Sequence, residues 1–223
     1  MLKYFLLIAG ALVQIAFIIV EHREKYVLAD LLKGLASLMF VITGFLGCRQ
    51  MGAESFSRLI FIGLILGMAG DILLNLRFVF PANGQKIFLA GIAAFLAGHL
   101  LYLAALIPQA HNLLLCFIIG GLIAAGLLMY IFKTMEVKTA FKIFGIVYLG
   151  AVIIMTTVAI SLAIAMPNKS RIIYAIGALA FTLSDVVLIF NTFGSSTRFS
   201  MRITNLLLYY LGQSLIALSL FFR

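Results

Sequence analysis

An all-α integral membrane protein, a bundle of eight transmembrane helices with short loops, is the fold class this sequence predicts. Three observations carry that expectation. Hydrophobic residues make up 65% of the 223 positions and charged residues only 10%, with a mean hydropathy of +1.22, a balance outside the range of water-soluble domains. Apolar runs of about 20 residues recur along the chain, the length a helix needs to cross a hydrocarbon core about 30 Å thick. All three prolines, Pro81, Pro108 and Pro167, fall between those runs, where helix interruption costs nothing.

Segmenting on charge, proline and length places helices at residues 2–20, 27–47, 58–77, 87–107, 112–132, 139–164, 171–191 and 202–222. The first is too long for a removable signal peptide and lacks a small-residue cleavage site, so it is expected to remain as a signal anchor. The second carries Asp30 and Lys33 inside its apolar run. The third and fourth are rich in small residues, Gly63, Gly67 and Gly70 in one and Gly91, Ala94 and Gly98 in the other, which let helices approach closely in lipid. The fifth and sixth are nearly uniform in apolar character. The seventh repeats the small-residue device at Gly177 and Ala178, and the eighth closes the chain. Connections this short leave no room for a soluble domain, so residues 1–223 read as one domain and any chemistry belongs to the bundle. No internal repeat relates the two halves, which weakens a transporter reading.

The formal net charge of +9 does not mark a nucleic-acid binder, because the basic residues stand singly or in small groups between apolar runs, as headgroup anchors do. Lys3, Arg49, Arg58, Lys169, Arg171 and Arg223 fall on the side of the N-terminus. Arg23, Lys25, Arg77, Lys86, Lys133, Lys138, Lys142, Arg198 and Arg202 fall on the other, with Lys33 inside the membrane. The larger count marks the cytoplasmic face and puts both termini outside the cytoplasm. The expected location is multi-pass in the bacterial inner (plasma) membrane. Cys48 and Cys116 have neither metal-ligand spacing nor an evident disulfide role and read as small apolar residues.

Against this background two acids stand out, Asp71 in GLILGMAGDILLNL and Asp185 in YAIGALAFTLSDVVLIF. A carboxylate at the centre of a membrane helix costs at least about 2.5–3.5 kcal/mol, so each marks a candidate functional site. At about 1.5 Å of rise per residue, both lie about 9 Å short of the end of their helices, toward the face with nine basic residues. Helices two, four, six and eight start at that face and place Lys33, Tyr148, Gln213 and His99 at depths of about 9–18 Å. Six helices thus offer polar groups in one half of the membrane. Since polar groups facing lipid are costly, a single cavity is expected, lined by Lys33, Asp71, Asn75, His99, Tyr102, Tyr148, Ser184, Asp185, Asn191 and Gln213. Blander roles stand beside this. Lys33 can pair with Asp30, His99 can bond a neighbouring helix, Asn75 and Asn191 can cap helix ends, Tyr102, Tyr148 and Tyr209 can be interfacial belt residues, and the two aspartates can pair structurally with Lys33 and His99.

Several of these residues sit in a pattern that resembles the YhhN-type lysoplasmalogenase family. The resemblance rests on Gly70-Asp71, on FLAGHLLY with Phe95, His99 and Tyr102, on GALAFTLSDVVL from Gly177 to Leu188 followed by Phe193, and on YYLGQSLI with Tyr210 and Gln213. The Gly-Ala-x-x-Phe-x-x-Ser-Asp stretch ending at Asp185 is its most specific piece. The chain departs from the family pattern at Gly34, where Lys-Pro is usual, and at Asn191, where a basic residue is common. The resemblance implies an eight-helix membrane hydrolase that cleaves the vinyl ether bond of lysoplasmalogens to a fatty aldehyde and glycerophosphoethanolamine or glycerophosphocholine, with no metal and no cofactor. The implied partners are the lysophospholipid substrate and membrane lipid. Consistent with that, the sequence has no His/Cys/carboxylate metal cluster, no Gly-x-Ser-x-Gly elbow and no phosphate-binding glycine loop.

Vinyl ethers hydrolyse by slow protonation of the carbon beta to oxygen, so the reaction needs a proton donor beside a negative charge. Asp71 and Asp185 are expected to be that catalytic pair, one the acid and the other the carboxylate that stabilises the oxocarbenium ion and aligns water, with no assignment between them. His99, Tyr148 and Ser184 would orient the carboxyls or the water, and Lys33 and Gln213 would meet the glycerol and phosphate end. Two other classes compete. A proton-coupled transporter or lipid-binding membrane protein would use the acids without covalent chemistry. An intramembrane aspartyl protease would also use two aspartates, but here Met68-Ala69-Gly70-Asp71 lacks the leading glycine of that signature and no Tyr-Asp partner is present.

Overall fold

The computed structural model describes residues 1–135 and 139–222; of the basic residues counted above, Lys138 and Arg223 lie outside them. Eight helices form, each long and apolar enough to cross a membrane, and no strand is present among the described residues. They are α1 (Leu2–His22), α2 (Tyr26–Gln50), α3 (Ser55–Val79), α4 (Gly84–Leu106), α5 (Leu113–Thr134), α6 (Thr139–Ala165), α7 (Lys169–Phe193) and α8 (Phe199–Ser219). The helices match the eight expected spans and mostly run a few residues beyond them, because charged and polar flanks continue a helix into the headgroup layer where their side chains reach water.

The breaks between helices follow local chemistry. Pro81 and Pro108 each sit in a single 3₁₀ turn, after α3 and after α4, positions where a missing N–H is tolerated. The tight link between α2 and α3 uses Gly52 at φ +69° followed by Ala53 at φ +53°. Asn168 caps α7, its side-chain oxygen accepting a hydrogen bond from the Arg171 N–H at 2.8 Å.

Six helices close into a ring in the order α2, α3, α4, α6, α7, α8 and back to α2, while α1 packs outside α2 and α5 packs outside α6. The two outer helices show their apolar side chains to lipid, as Leu12 and Ile15 of α1 and Leu114 and Leu122 of α5 do. The six ring helices are the six that carry the ten residues expected to line the cavity. The core between them is aromatic and aliphatic, with Phe40, Leu64, Tyr102, Met155, Phe181 and Ile216 essentially inaccessible.

Glycine sets how closely the ring packs. Gly177 of α7 and Gly212 of α8 face each other: a Cβ on Gly212 would lie 2.8 Å from the Gly177 carbonyl oxygen and 2.9 Å from the Phe181 nitrogen. Backbone lies on both sides of that contact, so the helices would have to move apart. Gly212→Ala is expected to destabilise the fold by about 1–3 kcal/mol, seen as a lower unfolding midpoint in detergent, whereas Gly121→Ala, with nothing within 4 Å of the new methyl group, should leave the midpoint in place.

Candidate functional site

The ring encloses a cavity of about 90 Å³ to which all six helices contribute. Its polar side chains are Lys33 from α2, Asp71 from α3, Tyr148 from α6, Ser184, Asp185 and Thr192 from α7, and Arg202, Asn205 and Tyr209 from α8; Leu74, Phe88, Ile92, Phe95, Phe181 and Leu188 are among the apolar ones. Five of the ten residues expected to share one cavity therefore do so: Lys33, Asp71, Tyr148, Ser184 and Asp185.

Asp71 and Asp185 occupy the same position in their helices, the seventeenth residue of 25 in α3 and in α7. Both stand eight residues before the helix end, or about 12 Å, a little deeper than the sequence alone gave because both helices run longer. Their surroundings differ. The Oδ2 of Asp71 accepts hydrogen bonds from the Tyr209 hydroxyl at 2.5 Å and from Ser37 Oγ at 2.6 Å, and the Lys33 ammonium lies 3.4 Å from Oδ1. Lys33 is 2% exposed, and its Nζ sits 5.7 Å from the ring centroid of Phe17, which covers it from α1. Lys33 thus pairs with Asp71 across two helices, not with Asp30 on its own helix, whose Oδ1 is buried without a hydrogen-bond partner among the described residues. The Tyr210 hydroxyl, 3.3 Å from the Lys33 carbonyl oxygen and 3.3 Å from Ser37 Oγ, completes this cluster.

Asp185 has a sparser environment. Its Oδ2 accepts one hydrogen bond, from the Tyr148 hydroxyl at 2.7 Å, and no cation reaches salt-bridge distance among the described residues. Ser184, next to it, does not orient the carboxyl; its Oγ and carbonyl oxygen accept hydrogen bonds from Asn205 Nδ2 at 2.8 and 3.0 Å, which ties α7 to α8 beside the acid. The two carboxyls face one cavity without a hydrogen bond between them, so each is held by its own donors.

The other five expected residues lie elsewhere. His99 and Gln213 stand fifteen and fourteen residues into α4 and α8, about 22 and 21 Å deep, because both helices start earlier than expected; they sit beneath the cavity. His99 donates from Nδ1 to the Phe95 carbonyl oxygen at 2.7 Å, packs its ring 4.3 Å from that of Phe181, and has no partner at Nε2 among the described residues. Tyr102 donates to Gln213 Oε1 at 2.9 Å, an interhelical bond in the core, so Tyr102 is no belt residue. Asn75 is fully buried, with neither side-chain atom partnered among the described residues. Asn191 closes the turn into α8, its Oδ1 accepting from the Arg198 N–H at 2.7 Å, and borders a second, wider opening above the cavity.

Ser37, Asn205 and Arg202 went unremarked as site residues in the sequence, and Tyr209 read as an interfacial tyrosine although it is 5% exposed and holds Asp71. Of the Tyr209-Tyr210 pair, both prove to serve the Lys33–Asp71 cluster. Tyr209 also makes edge contacts with Phe95 at 5.8 Å and Phe181 at 5.4 Å, forming the aromatic floor of the cavity.

Chemically, the cavity offers one carboxylate compensated by a lysine and two hydroxyls, one carboxyl held by a phenol, and apolar walls. Among the described residues no three His, Cys, Asp or Glu side chains converge as a metal site. No curated protein and no solved structure shows a significant match to this chain. A family model does: the match to the YhhN family runs over residues 28–220, from the start of α2 to the end of α8, so that it takes in the whole six-helix ring and every residue of the cavity, and the chain belongs to the YhhN family.

Proposed function

We propose that this protein is a lysoplasmalogenase, hydrolysing the vinyl ether bond of a 1-alkenyl-glycerophospholipid to a fatty aldehyde and the glycerophospho-alcohol. The observation that carries the reading is the inequality of two carboxyls in one apolar cavity. Acid-catalysed hydrolysis of a vinyl ether needs a proton donor and, opposite it, a fixed negative charge. Asp71, with a lysine and two hydroxyls aimed at it, suits the ionised member. Asp185, with only the Tyr148 hydroxyl on Oδ2, suits the member that carries the proton.

In this assignment Asp185 delivers its proton to the alkenyl carbon beta to oxygen, leaving an oxocarbenium ion at the adjacent carbon. The Asp71 carboxylate stabilises that cation electrostatically, as the charged partner does in glycoside cleavage. Water then adds to the cationic carbon and gives its proton to the Asp185 carboxylate, which restores the acid and leaves a hemiacetal. Collapse of the hemiacetal moves its hydroxyl proton to the glycerol oxygen, breaks the carbon–oxygen bond and releases aldehyde and alcohol. Tyr148 holds Asp185 in place during both proton transfers. Phe88, Ile92, Phe95 and Phe181 exclude bulk water and give the cation no competing solvent.

A cavity of about 90 Å³ holds the reacting end of a lipid and not its tail, since pockets that enclose a drug-sized ligand run to roughly 300–1,000 Å³. The tail therefore extends past the apolar wall toward the bilayer, and a second acyl chain at the glycerol would have to enter the same narrow space. Single-chain lipids fit this better than two-chain phospholipids.

Fatty-aldehyde release from 1-alkenyl-lysophosphoethanolamine by the purified protein in detergent tests the reading, with the saturated ether analogue as the substrate that should yield nothing. Loss of a general acid costs roughly 10²–10⁴-fold, so Asp185→Asn should lower turnover by at least about a hundredfold with its unfolding midpoint preserved. Wild-type turnover in both Asp185→Asn and Asp71→Asn, each folded, would refute the mechanism. Tyr148→Phe removes the donor and keeps the ring, and its expected cost is milder, about tenfold in kcat with little change in KM. A Tyr148→Phe enzyme that lost KM alone would instead make Tyr148 a substrate-binding group.

A further inference from the structure

Above the inner cavity, at the face with nine basic residues, lies a wider vestibule of about 470 Å³. Leu188, Thr192 and Arg202 line both spaces, and Arg202 is the one charged side chain among the described residues to do so. Its Nη2 and Nε hold the two carboxylate oxygens of Glu21 at 2.6 and 3.1 Å, with both side chains partly open to the vestibule. Arg77, also in the vestibule wall, is clamped with its guanidinium carbon 4.4 Å from the ring centroid of Phe88 and 4.6 Å from that of Phe78. Its Nε is buried without a hydrogen-bond partner among the described residues. Phe88 belongs to the inner cavity wall, so both arginines are anchored where the two spaces meet.

We infer that Arg202 and Arg77 form a subsite for the phosphate of a lysolipid headgroup, and that Glu21 competes with that phosphate for Arg202. The position of the reacting bond in this inference rests on the vinyl ether reading above; the phosphate chemistry does not. A planar guanidinium with paired donors matches two phosphate oxygens as it matches a carboxylate, so the Arg202–Glu21 fork is a geometry that phosphate can take over. Arg77 brings a second guanidinium into the wall of the same mouth. Lys33 cannot serve the headgroup in its place, because it is committed to Asp71.

Length supports the placement. Arg77 lies six residues beyond Asp71 on α3, or about 9 Å along the axis. From the vinyl carbon that takes the proton to the phosphorus is a run of seven bonds. An extended chain advances about 3.3–3.6 Å per three bonds, so the run spans about 8 Å. A lysolipid whose vinyl ether reaches the carboxyls therefore has its phosphate at the level of the two arginines.

Binding of the non-hydrolysable 1-alkyl-glycerophosphoethanolamine, set against 1-alkylglycerol, to the full-length protein in detergent reads the subsite without relying on hydrolysis. The wild type should prefer the phosphate-bearing lipid by at least about tenfold, and Arg77→Gln and Arg202→Gln should each erase most of that preference. Glu21→Gln should strengthen binding of the phosphate-bearing lipid, because it removes the competitor, while Lys86→Gln, an exposed charge on the same face that lines neither space, should change nothing. Should Arg202→Gln fail to fold, Arg77→Gln and Glu21→Gln carry the test. An unchanged preference in the arginine variants would overturn the subsite, as would weaker binding in Glu21→Gln, the mark of an ion pair that only staples α1 to α8. Displacement of the lipid by inorganic phosphate at equal concentration would overturn the assignment to a lipid headgroup. Arginine-dependent binding without aldehyde release would count against the vinyl ether reading alone; aldehyde release with arginine-independent binding would count against the subsite alone.

Discussion

The Lys33–Asp71 pair is the interaction on which the rest of the site depends. Neither charge can be solvated by hydrocarbon, and removing one partner of a buried pair strands the other at a cost of about 3–5 kcal/mol. The pair therefore requires α2 and α3 to keep one rotation about their axes, with both charges facing the ring interior. Once they do, the remaining donors follow: Ser37 stands one turn below Lys33 on α2 and Tyr209 reaches in from α8, while Tyr210 beside it bonds the Lys33 carbonyl oxygen. Three groups from two helices, Lys33 and Ser37 of α2 and Tyr209 of α8, then satisfy a single carboxylate on a third. Such a network fixes the register of α8 against α2 and α3 more sharply than apolar packing can, because in lipid the exterior competes equally for every leucine.

The second acid gains its meaning from the first. Two carboxyls at the same position of two helices of equal length read as equivalents, yet the partners that surround them are not equivalent. All of the positive charge in the inner cavity apart from the rim arginine is spent on Asp71. Asp185 faces Tyr148 and apolar walls. Unequal partners around two carboxyls are the arrangement by which one site holds an acid and a base together, and here the inequality arises from a lysine on α2 that is far from Asp185 in the chain.

How much of this could be read from the chain divides along a physical line. Depth was legible, because helical rise is constant and the charged ends of each apolar run mark the membrane faces; hence the six ring helices, the two acids, Lys33 and Tyr148 were all found. Errors in depth came from helix starts. Three residues gained at the start of α4 and of α8 pushed His99 and Gln213 beneath the cavity. Rotation about the helix axis was not legible. A water-soluble helix announces its inner face by its apolar stripe, but a membrane helix is apolar all round, so nothing in the sequence said that Ser37 would face Asp71, or that Asn75, one turn from Asp71, would miss the cavity. Tyr209 and Tyr210, adjacent and about 100° apart on α8, gave no sign that both would turn inward toward one cluster.

The outer helix α1 shows how an element outside the family match shapes a site within it. The match begins at residue 28, and α1 contributes no residue to the inner cavity. Even so, Phe17 lies over Lys33 and shields the buried ion pair from lipid, and Glu21 holds the guanidinium that stands between cavity and vestibule. Both contacts come from the inner side of a helix whose other side faces lipid. The ring carries the chemistry, and α1 governs what surrounds it: the dielectric at Lys33 through a phenyl ring, and the charge available at the mouth through one carboxylate. A change in how α1 lies against α2 and α8 would alter both together, because Phe17 and Glu21 are four residues apart, one turn, on the same face of the same helix.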